Sequence, residues 1–519
     1  MASKDLFRNL VRAFIPQADT VNEAGGRAYA LSAKQALAQY AATGCLNGTF
    51  YATDVDQLQH VLSLADAVAP SFVAQTAIYA RQRGHMKDMP ALLLASLAAR
   101  DVELMARVFD RVADNGKMLR NFVQIMRSGL VGRRSLGSRP KREIQRWLAS
   151  RSDEAIFRAS VGRSPSLVDV IKMVHPKPAS ASRRALYGYL LGRPYDVAAL
   201  PQVVQRYEAF KRDPKGPAPK VPFQMLTALP LEAEAWKSIA RNASWQMTRM
   251  NLNTFARHGV FEDGEMVSLV AQRLASAELV RKARVFPYQL LAATQNLGDR
   301  VPGAVRDALC EAMEVALENV PRIDGRIYVL PDVSGSMQSP VTGFRRGSTT
   351  KVRCIDVAAL VAAAFLRVND ETQVLPFHDH VELCRLDSRD GVLLNAQKLS
   401  WLPSGGTNCA APLTELNARK ARGDLVVFVS DSESWIDTTR RWNSGTPVME
   451  QWAIYRRRNP KAKLVCIDVQ PYGSTQAPNR SDILNVGGFS DSVFRVIGDF
   501  VAGGRSDDHW VDVIEAIEV

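Results

Sequence analysis

The stretch LPDVSGSMQSP, residues 330–340, sets Asp332, Ser334 and Ser336 at every second position, directly after the apolar run RIYVL (326–330). An apolar, β-branched run of this length reads as a buried strand, and the alternation places the carboxylate and both hydroxyls on one side of the chain as it turns. Further strands follow in TQVLPF (372–377), DLVVFVS (424–430) and AKLVCIDV (462–469), and VRCIDVAALVAAAFLRV (352–368) reads as a helix between the first two. Strands alternating with helices predict a doubly wound α/β domain, spanning 323–519, and ligands of such sheets bind beyond the carboxyl ends of the strands. DVSGSM therefore sits on the binding edge.

Two later segments supply polar groups at the same edge. PSGGTNC (403–409) is a glycine-bearing loop offering Thr407, and VFVSDSES (427–434) ends a strand with Asp431. Two carboxylates and three hydroxyls, with no thiolate or imidazole, form a hard oxygen set suited to Mg²⁺, with Mn²⁺ the second choice, rather than zinc. So few charged ligands would leave one coordination position open. Other chemistries fit less well. A serine nucleophile needs the elbow G-x-S-x-G, and VSGSM lacks its first glycine. No G-x-x-x-x-G-K-[ST] loop occurs, which removes the usual phosphate cradle for nucleotide hydrolysis. FHDH (377–380) places His378 and His380 two apart, but no third and fourth ligand at the usual spacing is evident, so an exposed polar turn is expected.

Residues 1–322 have another character. DVDQLQHVLSLADAV (54–68), MPALLLASLAARD (89–101) and EMVSLVAQRLASAELVRKA (265–283) carry apolar residues at helical spacing, with RDPKGPAPKVP (212–222) as a connection. No clear strand alternation appears, so an all-helical domain is expected. It is also the basic half: residues 1–320 hold 43 Lys and Arg against 29 Asp and Glu, whereas the remainder holds 23 against 24. RSGLVGRRSLGSRPKREIQR (127–146) contains seven basic residues and one acid, Glu143. A clustered excess of this sign points to a polyanion, most simply nucleic acid. Arg133, Arg134, Arg139, Lys141 and Arg142 are the candidate phosphate contacts, and Trp147 is expected in the core. Six scattered cysteines suit a reducing cytosol, and the longest apolar run, VAALVAAAFL (357–366), is too short for a bilayer. A cytoplasmic protein without membrane contact is the expectation.

D-x-S-x-S, a loop threonine and a strand-end aspartate together resemble the metal-ion-dependent adhesion site of von Willebrand A domains. The resemblance implies direct metal contact by Ser334, Ser336 and Thr407, with Asp332 and Asp431 often acting through water and a partner's carboxylate completing the shell. A helical basic half joined to such a domain is similar to the Ro autoantigen family, of the bacterial type, whose helical portion is called the TROVE domain. GGRAYALSAKQALAQYAATGCLNGTFY (25–51), ending in GTFY, DVIKMVHPKPAS (169–180), LVRKARVFPYQLLAA (279–293) and GGTNCAAPL (405–413) carry the likeness. Asn408 stands where aspartate is common, and Pro331 removes a backbone donor at the strand exit.

The resemblance implies an α plus α/β architecture: an all-helical ring of HEAT-like repeats closed by the Rossmann-like A domain, so that a monomer suffices. It further implies a non-enzymatic RNA-binding scaffold for RNA quality control or processing. Structured noncoding RNA of the Y type would lie on the basic outer face and single-stranded RNA ends in the ring cavity. His175 and Lys177 match the family's H-x-K-P motif, and Arg158 and Arg163 fall near its other basic positions; a histidine before proline also commonly caps a helix. An exoribonuclease, or another protein with an acidic residue at the metal, is the implied protein partner. The competing class is a metal-dependent protein-interaction module of the adhesion or chelatase-partner type, which gives no reason for the basic helical half.

Overall fold

A computed structural model describes residues 15–214, 218–283, 285, 287–344, 352–436, 445–488, 491–503 and 506–519. Five parallel strands form the larger sheet: β3 (Ile327–Pro331), β4 (Thr372–Val374), β5 (Leu425–Ser430), β6 (Lys463–Asp468) and β8 (Ile483–Gly487), in the order β4-β3-β5-β6-β8. The four strands read from the sequence are present, and the fifth, β8, escaped notice. Strand alternation divides the side chains cleanly. Ile327, Val329, Val427, Val429, Val465 and Ile467 share a core with the helices Cys354–Val368 and Asp491–Ala502. Tyr328, Leu330, Val426, Phe428, Leu464 and Cys466 pack instead with Ala411–Ala418 and Pro447–Arg458. Burial on both faces explains why these strands read as continuous apolar runs.

The chain before residue 322 is built of short helices, each started and stopped by local chemistry. Asp101 caps Val102–Val112 by accepting from the Leu104 amide at 2.9 Å, and Leu104, Met105, Val108, Phe109 and Val112 make its buried stripe. Asn115 caps Gly116–Ser128, which ends at Gly129 in the left-handed region, φ 88°. Ser166 and Asp169 form a capping box at the start of Leu167–Val174. Helix–helix packing follows chain order, in keeping with a HEAT-like array.

Both ends of that array rest on the A domain, which closes the ring. At one end Ala33–Thr43 and Pro70–Gln82 meet the C-terminal helix His509–Glu515, and the Trp510 indole donates to the Tyr79 hydroxyl at 3.0 Å. At the other, Glu314 on Gly303–Ala316 pairs with Arg367 at 3.0 Å and lies beside the helix Val392–Ser400. The apolar core runs unbroken from the helices into one face of the sheet.

One element departs from the all-helical expectation for the first half. Two short strands, β1 (Thr20–Val21) and β2 (Arg27–Ala30), form an antiparallel sheet with β7 (Ser474–Thr475) of the A domain. Strands this short hold too few residues for alternation to show in sequence. Among the described residues, no helix is long and apolar enough to cross a membrane.

Trp510 is buried at the ring closure, so Trp510→Ala should lower stability by about 3–5 kcal/mol, the usual cost of emptying a large aromatic site. Thermal unfolding should show the loss, and limited proteolysis should cut first near the released C-terminal helix; an unchanged melting point and cleavage pattern would refute this closure.

Candidate functional site

The sheet order fixes where chemistry can occur. Strand β3 has β4 on one side and β5 on the other, so the connections leave in opposite directions and a crevice opens at the carboxyl ends of β3 and β5. Asp332 follows β3 there and Asp431 follows β5. Register brings Pro331 opposite Val429, and the next step sets the Ser430 hydroxyl against Asp332, donating to Oδ2 at 2.6 Å. The Ser334 amide donates to Asp332 Oδ1 at 2.8 Å, and the Ser334 and Ser336 hydroxyls lie 3.3 Å apart. Backbone bonds tie in the Thr407 loop, among them the Gly335 amide to Gly405 O at 2.9 Å and the Trp435 amide to Thr407 O at 3.0 Å. All five residues expected from the sequence, Asp332, Ser334, Ser336, Thr407 and Asp431, are buried at this one edge.

Sequence reading missed four further members. Ser430 and Asp468 end strands already read from the sequence, and Glu433 lies two residues beyond Asp431 in the quoted segment VFVSDSES. Glu433 is fully buried and accepts from the Ala24 amide at 3.1 Å through Oε2. Tyr51, of GTFY, comes to this edge from the helical half, near enough for Asp431 and Glu433 to act on its hydroxyl, with its ring set edge-on to Tyr472. Close approach demands glycine at Gly26, where a Cβ would stand 1.9 Å from Ser434 O; beside it, Asn22 donates to that same oxygen at 2.8 Å.

Electrostatics make this edge unusual. Burial, and then the Asp431 charge, push Asp332 up to about 7. Burial also raises Asp431, Glu433 and Asp468 above the usual carboxylate range. None of the four has a cationic side-chain partner among the described residues, and Asp431 Oδ2 and Glu433 Oε1 lack any hydrogen-bond donor. Buried carboxylates in this state call for protons or a cation. The donor set is entirely oxygen and so fits a hard divalent ion. Asn408 turns away from it, its amide donating to Asp379 O at 3.1 Å.

The basic candidates sort into two groups. Arg133, Arg134, Lys141, Arg142, Arg163 and Lys177 are exposed and have no carboxylate partner among the described residues. Arg139 is instead bridged to Glu103 at 2.8 Å and to Glu143 at 3.5 Å, and Arg158 to Glu154 at 2.6 Å. These two arginines are spoken for by carboxylates that sequence spacing alone did not assign. Gln145 donates to Val174 O at 2.5 Å, joining Ser138–Ser150 to the end of Leu167–Val174, and Arg142 is one turn from Gln145. His175 caps that end in the left-handed region, φ 48°, with its ring exposed. Beside it lies an open groove of about 540 Å³, lined by Arg127, Ser128, Ser164, Asp169 and Lys172 among others. Trp147 is core, its indole donating to Ala113 O at 2.7 Å.

Comparison with known proteins agrees with this architecture. The Ro60 vWA domain family model matches residues 326–501, and the TROVE domain model matches 166–315. The RNA-binding protein RO60 of Deinococcus radiodurans is 25% identical over 545 aligned positions, covering 96% of this chain and 99% of that protein. The RNA-binding protein RO60 of Caenorhabditis elegans is 24% identical over 281, covering 52% of this chain and 42% of that protein. The crystal structure of the Deinococcus radiodurans RO (RSR) protein superposes with a TM-score of 0.63 at 22% identity, covering 91% of this chain and all of that one, a likeness of fold. The chain thus carries a TROVE domain followed by a Ro60-type A domain and is similar to the RO60 protein of Deinococcus radiodurans over nearly its whole length.

Proposed function

We propose that this protein is a non-enzymatic, RNA-binding scaffold of the cytoplasm, holding small structured RNA of the Y type on its basic outer face and single-stranded RNA ends within the ring, in the service of RNA quality control or processing. The observation that carries the reading is the set of unpaired, exposed cations around the junction of Gly116–Ser128, Ser138–Ser150 and Leu167–Val174. Cations without carboxylate partners release counterions from a phosphate backbone on binding, and they contact it without reading sequence. The curated relatives bear the name RNA-binding protein, which supports the same partner class. A single chain that closes its own ring would act as a monomer.

The oxygen site is proposed to hold Mg²⁺, or Mn²⁺, through Ser334, Ser336, Thr407, Asp332 and Asp431. Bound there, the ion would neutralise buried carboxylate and offer a position to an acidic side chain, for instance of an exoribonuclease. Exposed Phe50, beside Tyr51, and exposed Trp435 and Ile436, beside Thr407, favour protein docking at this edge as a second, compatible role.

Two outcomes test these readings. Replacing Arg133, Arg134, Lys141 and Arg142 by glutamine should weaken binding of a structured RNA with a single-stranded tail and flatten log K against log salt. Each lost contact should reduce the slope by ~0.9 on duplex or ~0.7 on single strand. Arg139→Gln should instead cost stability with little change in slope; unchanged slopes in the quadruple variant would sink the proposal. For the metal, the raised carboxyl of Asp332 holds its proton in the folded state up to about pH 7, whereas the unfolded chain releases it near 4. This group's contribution to stability therefore falls as pH rises through that window, and a cation restores it. Mg²⁺ should raise the melting temperature more at about pH 8 than at about pH 5.5, and Ser334→Ala with Thr407→Ala should abolish the increment.

A further inference from the structure

The residues that follow β5, Asp431 to Ser434, join the oxygen site to the β1–β2 hairpin of the helical half. Ser432 is held in the left-handed region, φ 64°, its amide donating to the Ser430 hydroxyl at 3.0 Å and its carbonyl accepting from Gln476 Nε2 at 3.0 Å. A non-glycine residue keeps that conformation only where its surroundings impose it, and such places collect at ligand sites. Beyond it, Glu433 Oε2 accepts from the Ala24 amide at 3.1 Å, and Ser434 O accepts from Asn22 Nδ2 at 2.8 Å. Both donors lie in the hairpin turn, which is closed by the Asn22 amide to Gly26 O at 2.8 Å and the Gly26 amide to Asn22 Oδ1 at 2.6 Å. The Ser434 hydroxyl accepts from the Cys409 amide at 3.0 Å, so the same segment also holds the Thr407 loop. On its other side that loop is fixed by the Asn408 amide, which donates to His378 O at 2.9 Å. His378 is buried, contrary to the exposed turn expected from sequence, and its Nδ1 accepts from the Asp379 amide at 2.6 Å.

Glu433 is what this network leaves unbalanced. Its side chain is fully buried, and Oε1 has no donor; neither has Asp431 Oδ2, two residues before it, nor Oε1 of the Gln476 side chain that reaches Ser432. A carboxylate with no basic partner and one bare oxygen is costly to bury unless a cation shares its surroundings. We propose that Glu433 is a further carboxylate of the oxygen site, balancing its cation beside Asp431, and that through Ala24 it ties occupancy of the site to docking of the β1–β2 hairpin. The inference rests on the reading of that site as one for a divalent metal. A cation held between the two carboxylates fixes Glu433 where it receives the Ala24 amide, and the hairpin carries β2 to its pairing with β7. The coupling is reciprocal: whatever loosens the hairpin lowers affinity for the ion by the same factor.

The test uses the full chain, stripped with a chelator. Mn²⁺ is titrated by loss of its free-ion electron paramagnetic resonance signal, and hydrogen exchange of residues 20–30 is followed with and without Mg²⁺. Wild-type protein should bind the ion, and Mg²⁺ should slow exchange in the hairpin. Glu433→Gln keeps an oxygen for the Ala24 amide but removes the charge; it should weaken Mn²⁺ binding by about tenfold or more and abolish the Mg²⁺ effect on the hairpin. Asn22→Ala leaves every carboxylate in place and should also weaken Mn²⁺ binding. If Glu433→Gln binds Mn²⁺ as tightly as wild type, or if hairpin exchange ignores Mg²⁺ while the ion binds, the proposal is overturned and the metal site stands. Wild-type protein that binds no Mn²⁺ would overturn both.

Discussion

The pairing of β3 with β5 is the constraint on which the rest of the molecule is arranged. It puts Asp332 and Asp431 at neighbouring strand ends, out of water and without a basic side chain to offset them. Charge in that setting is tolerated only if neutral donors surround it and a proton or cation shares the cavity. Ser430 and the Ser334 amide meet Asp332, and the Ala24 amide meets Glu433. Two of those who attend the site, Ala24 and Tyr51, come from the helical half, so the cluster and the ring closure stabilise one another.

Much of this was legible in the sequence because it is local. Asp332, Ser334 and Ser336 share one loop, strand runs buried on both faces are short and apolar, and helix caps lie within three residues of the groups they satisfy. What escaped is what depends on pairing at a distance. Glu433 lies two residues beyond Asp431 and reads as loop until Ala24 is seen beside it; Tyr51 belongs to a motif whose ring partner, Tyr472, lies far along the chain. The β8 strand, ILNVG, offered only a short run between polar segments.

Charge illustrates the same limit. The excess of basic residues over 127–146 is plain in sequence, but its usable part is not. Arg139 and Arg146 both converge on Glu143, the one acid of that stretch, while Asp110 and Glu103 reach across from the helix Val102–Val112. Arg133, Arg134, Lys141 and Arg142 are exposed and have no carboxylate partner among the described residues. A tally of arginines therefore overstates the surface available to a polyanion, and only the folded neighbours separate the structural ones from the rest.

The small sheet of β1, β2 and β7 has a bearing on how the protein is made. Residue 29 pairs with residue 475, so one edge of β2 must wait, unpaired, until β7 has been made. Non-local pairing of this kind is slow and leaves strand edges exposed in the interval. The helices between can fold in order on neighbouring contacts, but the closing sheet and the carboxylate edge beneath it form only after β7 has been made. A chain cut short by a nonsense mutation or a stalled ribosome would thus present an open β2 edge, a recognisable mark of an unfinished molecule.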